Sequence, residues 1–398
     1  MIWQNKLRSS LLVTLCFLLC FPVAALPLDT VDDVVARHVE ARGGLARWKA
    51  ITNMKLTGNF TAFSITKPFS LVRTRDGHIR FDAYWGESVV ITASNGQQHW
   101  WINKMMGKTP TDLPEWGQIV LTDLRDFATP LFDYQEKGYR VELLGQSELD
   151  GAPAIAIKLI RGEDNEETWY LDPTTYLEVG RVSQGSDFGS PAEQTTFFDD
   201  FRKVNGLTIP FITETTYGTR HRLMEVETMS FDVALDAEIF EKPMPDEMLK
   251  LKSLIGEWSV EVSQRNSPKA SWQKSETSSI IEAQLDGNLL MENFRLADGQ
   301  VVRTWSHDQF RETYTVVETS SGDGLSNILQ GSWLDGVLQL DNVKSGTFTQ
   351  DQDRKYHRRY RVIDITADSF TVASDLSRDA GENWFNNSLF AYRRAPKK

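Results

Sequence analysis

Residues His38–Phe60 have the sequence HVEARGGLARWKAITNMKLTGNF, and this stretch contains the change of pattern that decides the fold. Its first part has helical spacing interrupted by Gly43-Gly44, whereas from Met54 onward the apolar positions recur at every second residue, as in a β-strand. Paired glycines can either bind phosphate or join two helices. Because a phosphate loop follows a strand and here a helix precedes the glycines, we interpret the pair as a hinge between helices.

The pattern on both sides of the hinge predicts helices. Thr30 is a suitable N-cap with Asp33 three residues later, a variant of the capping box, and Gly43 is a natural C-terminal stop. After the hinge, a short helix carrying Trp48 is predicted to fold onto the sheet, followed by the first strand at residues 54–60.

The rest of the chain has the pattern of antiparallel β-sheet. Hairpin-forming dipeptides recur between alternating segments, at Asp76-Gly77, Asn95-Gly96, Asp150-Gly151, Asn205-Gly206, Asp286-Gly287, Asp298-Gly299 and Asp335-Gly336. Residues 113–138 interrupt the alternation with apolar side chains at three- to four-residue spacing, which predicts one or two helices packed against the sheet.

The first 25 residues have the pattern of a secretory signal peptide. Lys6 and Arg8 precede the apolar run LLVTLCFLLCF and the small residues of PVAALP, so we expect cleavage after Ala25 and export to a bacterial periplasm. An uncleaved anchor stays open as the alternative, although the run is shorter than the roughly 20 residues of a membrane span. Both cysteines, Cys16 and Cys20, lie in this segment, so the mature chain is expected to have no disulfide or thiol chemistry.

The length and net charge of the chain limit the classes of function that it can have. A chain of 398 residues is expected to form more than one domain, and a formal net charge of −12 argues against a nucleic-acid partner, which needs a basic surface. The same charge disfavours adhesion to anionic head groups, so the protein is expected to be peripheral to a membrane at most. Binding of a lipid tail in a cavity remains compatible with this charge.

Residues 28–245 resemble the LolA-like outer-membrane lipoprotein-sorting proteins. The segments that carry the resemblance are VEARGGLARWKAI with the strand ending at Thr57-Gly58, then NGQQHWWIN, ATPLFDYQEKG, VELLGQSELDG, WYLDPTTYL and LDAEIFEKP. The resemblance implies an incomplete antiparallel β-barrel wrapped over helices, with a hydrophobic cavity for acyl chains of lipoproteins or related lipids. It assigns no individual ligand residue of the compact carriers to this sequence.

Residues 247–398 resemble small lipocalin-like (calycin) domains with the motif LxxLxGxW, here ending in Gly256 and Trp258. The resemblance implies a small antiparallel β-barrel. The continuation GEWSVEV lacks the later glycines of the haem-binding relatives, so no haem is expected, and His357 is interpreted as an ordinary strand histidine. With the two prolines of residues 236–247 as a linker, the predicted organisation is a signal peptide (1–25), a LolA-like half-barrel (26–245) and a lipocalin-like barrel (246–398).

Catalytic motifs are absent from the sequence. It contains no GxSxG elbow, no HExxH and no P-loop, so we expect a protein that is not an enzyme and uses no cofactor or metal. Pairs of carboxylates cannot be recognised by spacing alone, which keeps a carboxylate-dependent hydrolase open as an alternative. A second alternative is an envelope sensor or scaffold whose sheet surface binds a protein partner.

The abundance of aromatic residues favours a ligand-binding interior. The sequence has 12 tryptophans, and neighbouring Trp100 and Trp101 must point to opposite faces of a strand. A sheet rich in aromatics under a helical cover suits an apolar cavity, so we predict an exported binding protein that sequesters or carries a lipid or acyl chain. The residues predicted to bind the ligand are Trp85, Trp100, Trp116 and Phe127 in the half-barrel and Trp258 in the second barrel.

Overall fold

A computed structural model describes residues 30–85, 88–104, 107–115, 117–118, 121, 124, 127–162, 165–187, 190–297, 299–322, 324 and 326–395. The predicted signal peptide and its cleavage site after Ala25 lie outside the described residues, and so does Trp116. Within the described residues, no helix has the length and apolar character needed to cross a membrane.

The described residues begin with two helices joined by the glycine hinge. Helix α1 spans Val31–Ala41 and is closed at its start by the predicted capping box, in which the Asp33 amide donates to Thr30 Oγ1 and the Thr30 amide donates to Asp33. Helix α2 spans Leu45–Ala50. Both glycines between them have positive φ, 106° at Gly43 and 86° at Gly44.

Thirteen strands form one open antiparallel sheet in the order β6-β5-β4-β3-β2-β1-β13-β12-β11-β10-β9-β8-β7. They are β1 Asn53–Ala62, β2 Ile65–Thr74, β3 Ile79–Trp85, β4 Ser88–Ser94, β5 His99–Asn103, β6 Thr111–Asp112, β7 Arg140–Leu149, β8 Ala152–Gly162, β9 Asn165–Leu171, β10 Glu178–Asp187, β11 Ser190–Val204, β12 Leu207–Tyr217 and β13 Arg220–Phe231. Strands that follow each other in the sequence pair with each other, except β6 and β7, which form the two edges of the sheet. The pairing of β1 with β13 joins the two halves of the order.

The helices cover one face of this sheet. Val34 and Val35 of α1 are buried in a cluster with apolar residues of β8 and β9, and Trp48 of α2 is buried in a second cluster with residues of β1, β2 and β12. The hinge itself is bound to the sheet, because the Thr208 amide donates to the Arg42 carbonyl at 3.1 Å. Burial of these faces therefore places the helices inside the curve of the sheet.

Eleven strands form a second sheet that closes on itself. They are β14 Gly256–Gln264, β15 Gln273–Gln284, β16 Leu289–Leu296, β17 Gly299–Asp308, β18 Thr313–Ser320, β19 Ser326–Leu334, β20 Val337–Asp341, β21 Thr349–Asp351, β22 Arg354–Ile363, β23 Ser369–Ser377 and β24 Phe385–Arg394. Pairing of β20 with β22 closes a barrel of ten strands, and β21 adds to the side of β22. A short helix α3, Asp246–Leu249, and the 3-10 turn Lys252–Leu254 precede the barrel.

The predicted fold class is confirmed: the protein is mainly β, with an open sheet over helices followed by a small antiparallel barrel. Several of the predicted turns have both residues at positive φ, as a type I′ hairpin requires: 50° and 78° at Asp150-Gly151, 50° and 80° at Asn205-Gly206, and 49° and 78° at Asp335-Gly336. The hairpin signals were reliable because they depend on local backbone sterics alone.

Two segments differ from the sequence prediction: residues 113–138 are less regular than predicted, and the expected linker is more regular. In the described part of residues 113–138, helical positions lie only between Glu115 and Leu124, and residues 130–138 form consecutive turns. The expected linker also begins with structure, because Ala237–Phe240 is a 3-10 helix whose Phe240 is buried. Apolar side chains in both segments are covered by the sheet.

Candidate functional site

A cavity of about 240 Å³ lies on the helix-covered face of the open sheet. Its walls come from nine strands, β1–β3 and β8–β13, together with Arg42 beside the hinge, α2, Leu124 and residues 128–130. The lining residues are Arg42, Trp48, Leu56, Phe60, Leu71, Arg73, Phe81, Leu124, Ala128, Thr129, Pro130, Arg161, Trp169, Glu178, Arg181, Gln194, Thr196, Phe198, Ile209, Pro210, Thr213, Thr215, Arg222, Met224 and Val226. We call this space the sheet cavity.

One side of the sheet cavity is apolar. Directly paired residues share a face of an antiparallel sheet, and Leu56, Leu71 and Phe81 form one such row across β1, β2 and β3. Phe60 packs edge-on against Phe81 with ring centroids 5.5 Å apart. This side continues onto β13 with Met224 and Val226, so an alkyl chain there would contact only carbon and sulfur atoms of these side chains.

The opposite side contains buried charged groups from β8, β9 and β10. Glu167 forms an ion pair with Arg161, whose Nε lies 2.6 Å from the carboxylate, and accepts a hydrogen bond from Arg181 Nη1 at 3.3 Å. The indole N–H of Trp169 donates to the same carboxylate at 2.9 Å, and its ring stacks on Phe198 at 5.7 Å. One carboxylate therefore holds two arginines and an aromatic ring in place.

A second buried ion pair joins the hinge to β10. Arg42 of the hinge pairs with Glu178, and Arg42 Nε donates to the Thr208 carbonyl at 2.6 Å. His38 lies beside this pair, with Nδ1 3.8 Å from Glu178 and 2.8 Å from the Tyr176 carbonyl. Burial lowers the pKa of His38 more than the nearby Glu178 raises it, so the imidazole is neutral in the folded protein at neutral pH.

A β-bulge brings the charged residues of β10 to the same face. In a regular strand, residues three apart point to opposite sides. The pairing of β10 with β9 shifts between Glu178 and Gly180, which adds one residue and turns both Glu178 and Arg181 toward the cavity. Spacing in the sequence gives no sign of this shift, which explains why the charged side of the cavity was missed.

Two of the four ligand residues predicted in the half-barrel, Trp100 and Phe127, do not line the sheet cavity. Trp101, not Trp100, belongs to the cavity face, because its register partner Thr92 pairs with Phe81. Trp100 points to the other face, where it is fully buried and its indole N–H donates to the Phe240 carbonyl at 2.8 Å. The 3-10 helix at Ala237–Phe240 covers that face and explains its burial.

Phe127 does not line the sheet cavity, and Trp258 belongs to the core of the second barrel. Phe127 lines a neighbouring cavity of about 330 Å³ beside α2. The Arg75 guanidinium lies 4.8 Å from the centroid of the Phe127 ring. Trp85 ends β3, and its side chain is outside the described part of the chain, as Trp116 is. Trp258 lies inside the barrel, 1% exposed, with its indole N–H donating to the Leu254 carbonyl at 2.8 Å.

The interior of the barrel is filled rather than hollow around its charged centre. Arg303 donates to Glu292 at 2.9 Å and to Glu318 at 2.7 Å, and Tyr392 and Tyr360 donate to these two carboxylates at 2.6 Å each. Burial lowers the pKa of Arg303, but the surrounding acidic groups raise it further, so the guanidinium stays charged. The charged and phenolic groups of this cluster bind one another, and none of them lines the sheet cavity or the other two cavities.

A third space of about 350 Å³ lies where the two sheets meet. Its walls include Lys108 from the first sheet, Glu247 of α3, and His307 and Tyr314 of the barrel, with the Tyr314 hydroxyl donating to Glu247 at 2.7 Å. Among the described residues, no group of three or more His, Cys, Asp and Glu side chains is arranged to hold a metal ion. The sheet cavity combines apolar walls with convergent polar groups, and we take it as the candidate binding site.

Comparisons with known proteins give likenesses of fold only. No protein-family model and no curated protein matches the chain. A LolA superfamily protein of Nitrosomonas europaea is 12% identical over 54% of this chain and 99% of its own, with a TM-score of 0.38. A DUF1329 family protein of Desulfovibrio piger is 12% identical over 54% of this chain and 98% of its own, with a TM-score of 0.39.

A protein of M. tuberculosis is 15% identical over 39% of this chain and 100% of its own, with a TM-score of 0.28. The resemblance of residues 28–245 to the LolA-like proteins remains a prediction from the sequence. None of the three is described as a lipocalin, and that resemblance of residues 247–398 stays a prediction.

Proposed function

We propose that this chain is an exported, non-catalytic binding protein that holds the acyl chain of a lipid or lipoprotein in the sheet cavity. The observation that carries the proposal is the apolar row of Leu56, Leu71 and Phe81, which faces an internal space beneath the helices. Burial of an alkyl chain against such a wall yields about 0.8 kcal/mol per methylene before ordering costs. Export to the periplasm belongs to the same proposal and rests on the signal-like residues 1–25.

The proposed binding site is the sheet cavity and not the set of aromatic residues that the sequence analysis predicted. The barrel is assigned a supporting role, because Arg303 and its carboxylate partners occupy the centre where a ligand would lie. The same observation weighs against a carboxylate-dependent hydrolase at this place, since Glu292 and Glu318 converge on an arginine and not on an accessible cleft. A scaffold that binds only proteins would not need an internal apolar space.

The first experiment looks for a resident ligand. Mature protein, residues 26–398, is purified without detergent, examined by native mass spectrometry, and extracted with organic solvent for lipid analysis. The proposal predicts a lipid adduct or, from delipidated protein, saturable binding of a fluorescent fatty-acid probe. Protein that carries no lipid and binds no probe would contradict it.

A matched pair of variants on β13 locates the binding. Met224 lines the sheet cavity, whereas its neighbour Glu225 is exposed on the other face. Met224→Trp fills the cavity and is expected to weaken probe binding at least tenfold, while Glu225→Trp adds the same aromatic group outside and leaves binding unchanged. Equal effects of the two substitutions would place the ligand elsewhere.

A further inference from the structure

The lining of the sheet cavity is strongly biased toward positive charge. Among the described residues it includes five arginines, Arg42, Arg73, Arg161, Arg181 and Arg222, but a single acidic side chain, Glu178. Arg42 pairs with Glu178, and Arg161 and Arg181 share Glu167 behind the lining, so two carboxylates face five guanidinium groups. Arg42 and Arg181 are only 2% and 8% exposed, so the bias is a property of the interior and not of the surface.

The strand order separates this charge from the apolar wall. The sheet runs β3-β2-β1-β13 on one side of β12 and β11-β10-β9-β8 on the other. Leu71, Phe81 and Met224 line the first side, whereas Arg161, Arg181 and Gln194 line the second. A ligand that fills the cavity therefore meets carbon at one end and guanidinium groups at the other.

Two of the arginines lie on the apolar side and are held by other contacts. Arg73 Nη1 donates to the Leu124 carbonyl at 3.1 Å. The Arg222 guanidinium lies 4.9 Å from the ring centroid of Tyr217, near the hairpin between β12 and β13. The group at β8–β10 is the more rigid one, because Glu167 bridges Arg161 and Arg181.

The charged end is preorganised to receive an anion. A guanidinium has five N–H donors in a fixed plane, so one that binds a carboxylate can also bind a second acceptor. Thr196 lines the cavity beside this group, and its hydroxyl is within 3.0 Å of the Thr215 hydroxyl. Arginine side chains already fixed by Glu167 lose little freedom on binding a ligand.

The size of the cavity limits the ligand to one chain. Its volume of about 240 Å³ exceeds that of an engineered cavity of about 150 Å³ that binds benzene. It lies below the range of roughly 300–1,000 Å³ found for drug-sized ligands. One alkyl chain fits this space better than the several chains of a lipoprotein anchor.

We infer that the sheet cavity selects a single-chain amphiphile with an anionic head, whose chain lies along β13, β1, β2 and β3 and whose head binds at Arg161 and Arg181. The inference rests on the proposed function and narrows it to one class of ligand. A long-chain carboxylate and a long-chain phosphate monoester share this chemistry.

Isothermal titration of the mature protein with four amphiphiles of equal chain length tests the head group. The probes are hexadecanoate, hexadecyl phosphate, hexadecanol and hexadecyltrimethylammonium, all below their micellar concentrations. At least one of the two anions is expected to bind at least tenfold more tightly than the alcohol, and the cation more weakly than the alcohol. The comparison of the two anions distinguishes a carboxylate head from a phosphate head.

Arginine substitutions assign the preference to the charged end. Arg181→Gln is expected to reduce the affinity for the preferred anion to that for hexadecanol while leaving hexadecanol binding unchanged. Arg140→Gln, at an exposed position of β7 in the same sheet, is the matched control and is expected to bind all probes as the parent does. Arg161→Gln gives a second test should Arg181→Gln fail to fold.

The outcomes separate this inference from the proposed function. Equal affinity for the anions and the alcohol would overturn the anionic-head inference and leave the acyl-chain proposal standing. An anion preference that survives both arginine substitutions would overturn the assigned position of the head. Absence of binding by every probe would overturn both.

Discussion

Single side chains in this protein act mainly by joining distant parts of the chain. Arg42 of the hinge pairs with Glu178 of β10, 136 residues away, and accepts the indole N–H of Trp48 at its carbonyl, 3.1 Å away. In the barrel, Arg303 has the same role for four acidic or phenolic groups. At this scale, removal of one charge from a buried cluster is more damaging than removal of an exposed one.

Arg303→Met is expected to destabilise the barrel by about 3–5 kcal/mol, because it leaves Glu292 and Glu318 buried without their cation. Arg295→Met on β16 is the control, since Arg295 is exposed and the change is expected to cost less than about 0.5 kcal/mol. Urea unfolding of both variants measures the difference. Equal losses would show that the cluster does not stabilise the barrel.

His38 is expected to make the stability of the open sheet depend on pH. Its pKa in the folded protein lies below the ordinary value of 6.5, so the unfolded chain binds the proton first as the pH falls. The free energy of unfolding therefore decreases below pH 6.5, by up to about 1.4 kcal/mol per pH unit from this group.

The comparison of two histidine variants isolates this contribution. His38→Gln is expected to have a flatter dependence of unfolding free energy on pH between 7 and 5 than the parent. His221→Gln, at an exposed position on β13, is expected to follow the parent curve. Parallel curves for all three proteins would refute the role assigned to His38.

At the scale of helices and strands, the features that could be predicted are those determined by residues close together in the sequence. The capping box at Thr30, the helix hinge and the type I′ turns were foreseeable because backbone sterics and local hydrogen bonds determine them. The charged end of the cavity was not foreseeable from the sequence, because it depends on the bulge before Gly180 and on contacts between residues that are far apart in the sequence. The outward direction of Trp100 likewise depends on register, which alternation alone leaves open.

The hinge supplies a test of element packing. A Cβ at Gly43 would lie 2.5 Å from the Gly206 carbonyl oxygen, whereas one at Gly44 would meet nothing closer than Glu40 Oε2 at 3.6 Å. Both positions have positive φ, so both alanine variants carry backbone strain, but Gly43→Ala is expected to cost about 1–3 kcal/mol more. Thermal or urea unfolding compares them. Equal stability of the two variants would show that the hinge is not docked on the β11–β12 turn.

At the scale of the whole molecule, two sheets without a shared strand meet through a small set of polar contacts. Lys242 pairs with Asp112 of the first sheet at 2.8 Å and with Asp286 of the barrel at 2.7 Å. Gln309 of the barrel accepts from the Lys108 amide at 2.6 Å. Both acidic partners of Lys242 are exposed, so these contacts are expected to contribute little to the stability of either sheet.

The domain organisation predicted from the sequence stays a prediction, and separate expression of the two parts tests it directly. Residues 26–245 and 246–398, expressed separately, are each expected to unfold cooperatively, as followed by circular dichroism. The fragment 26–245 is expected to retain the fatty-acid affinity of the mature protein, and the fragment 246–398 to have none. An unfolded first fragment would show that the open sheet depends on the barrel.

The central claim is that an acyl chain lies inside the open sheet, and a crystal structure of the mature protein with hexadecanoate tests it most directly. The predicted result is one extended chain between Leu56, Leu71 and Met224, with its carboxylate at Arg161 and Arg181. Density for the chain only on the outer surface, or inside the barrel beside Trp258, would contradict the claim.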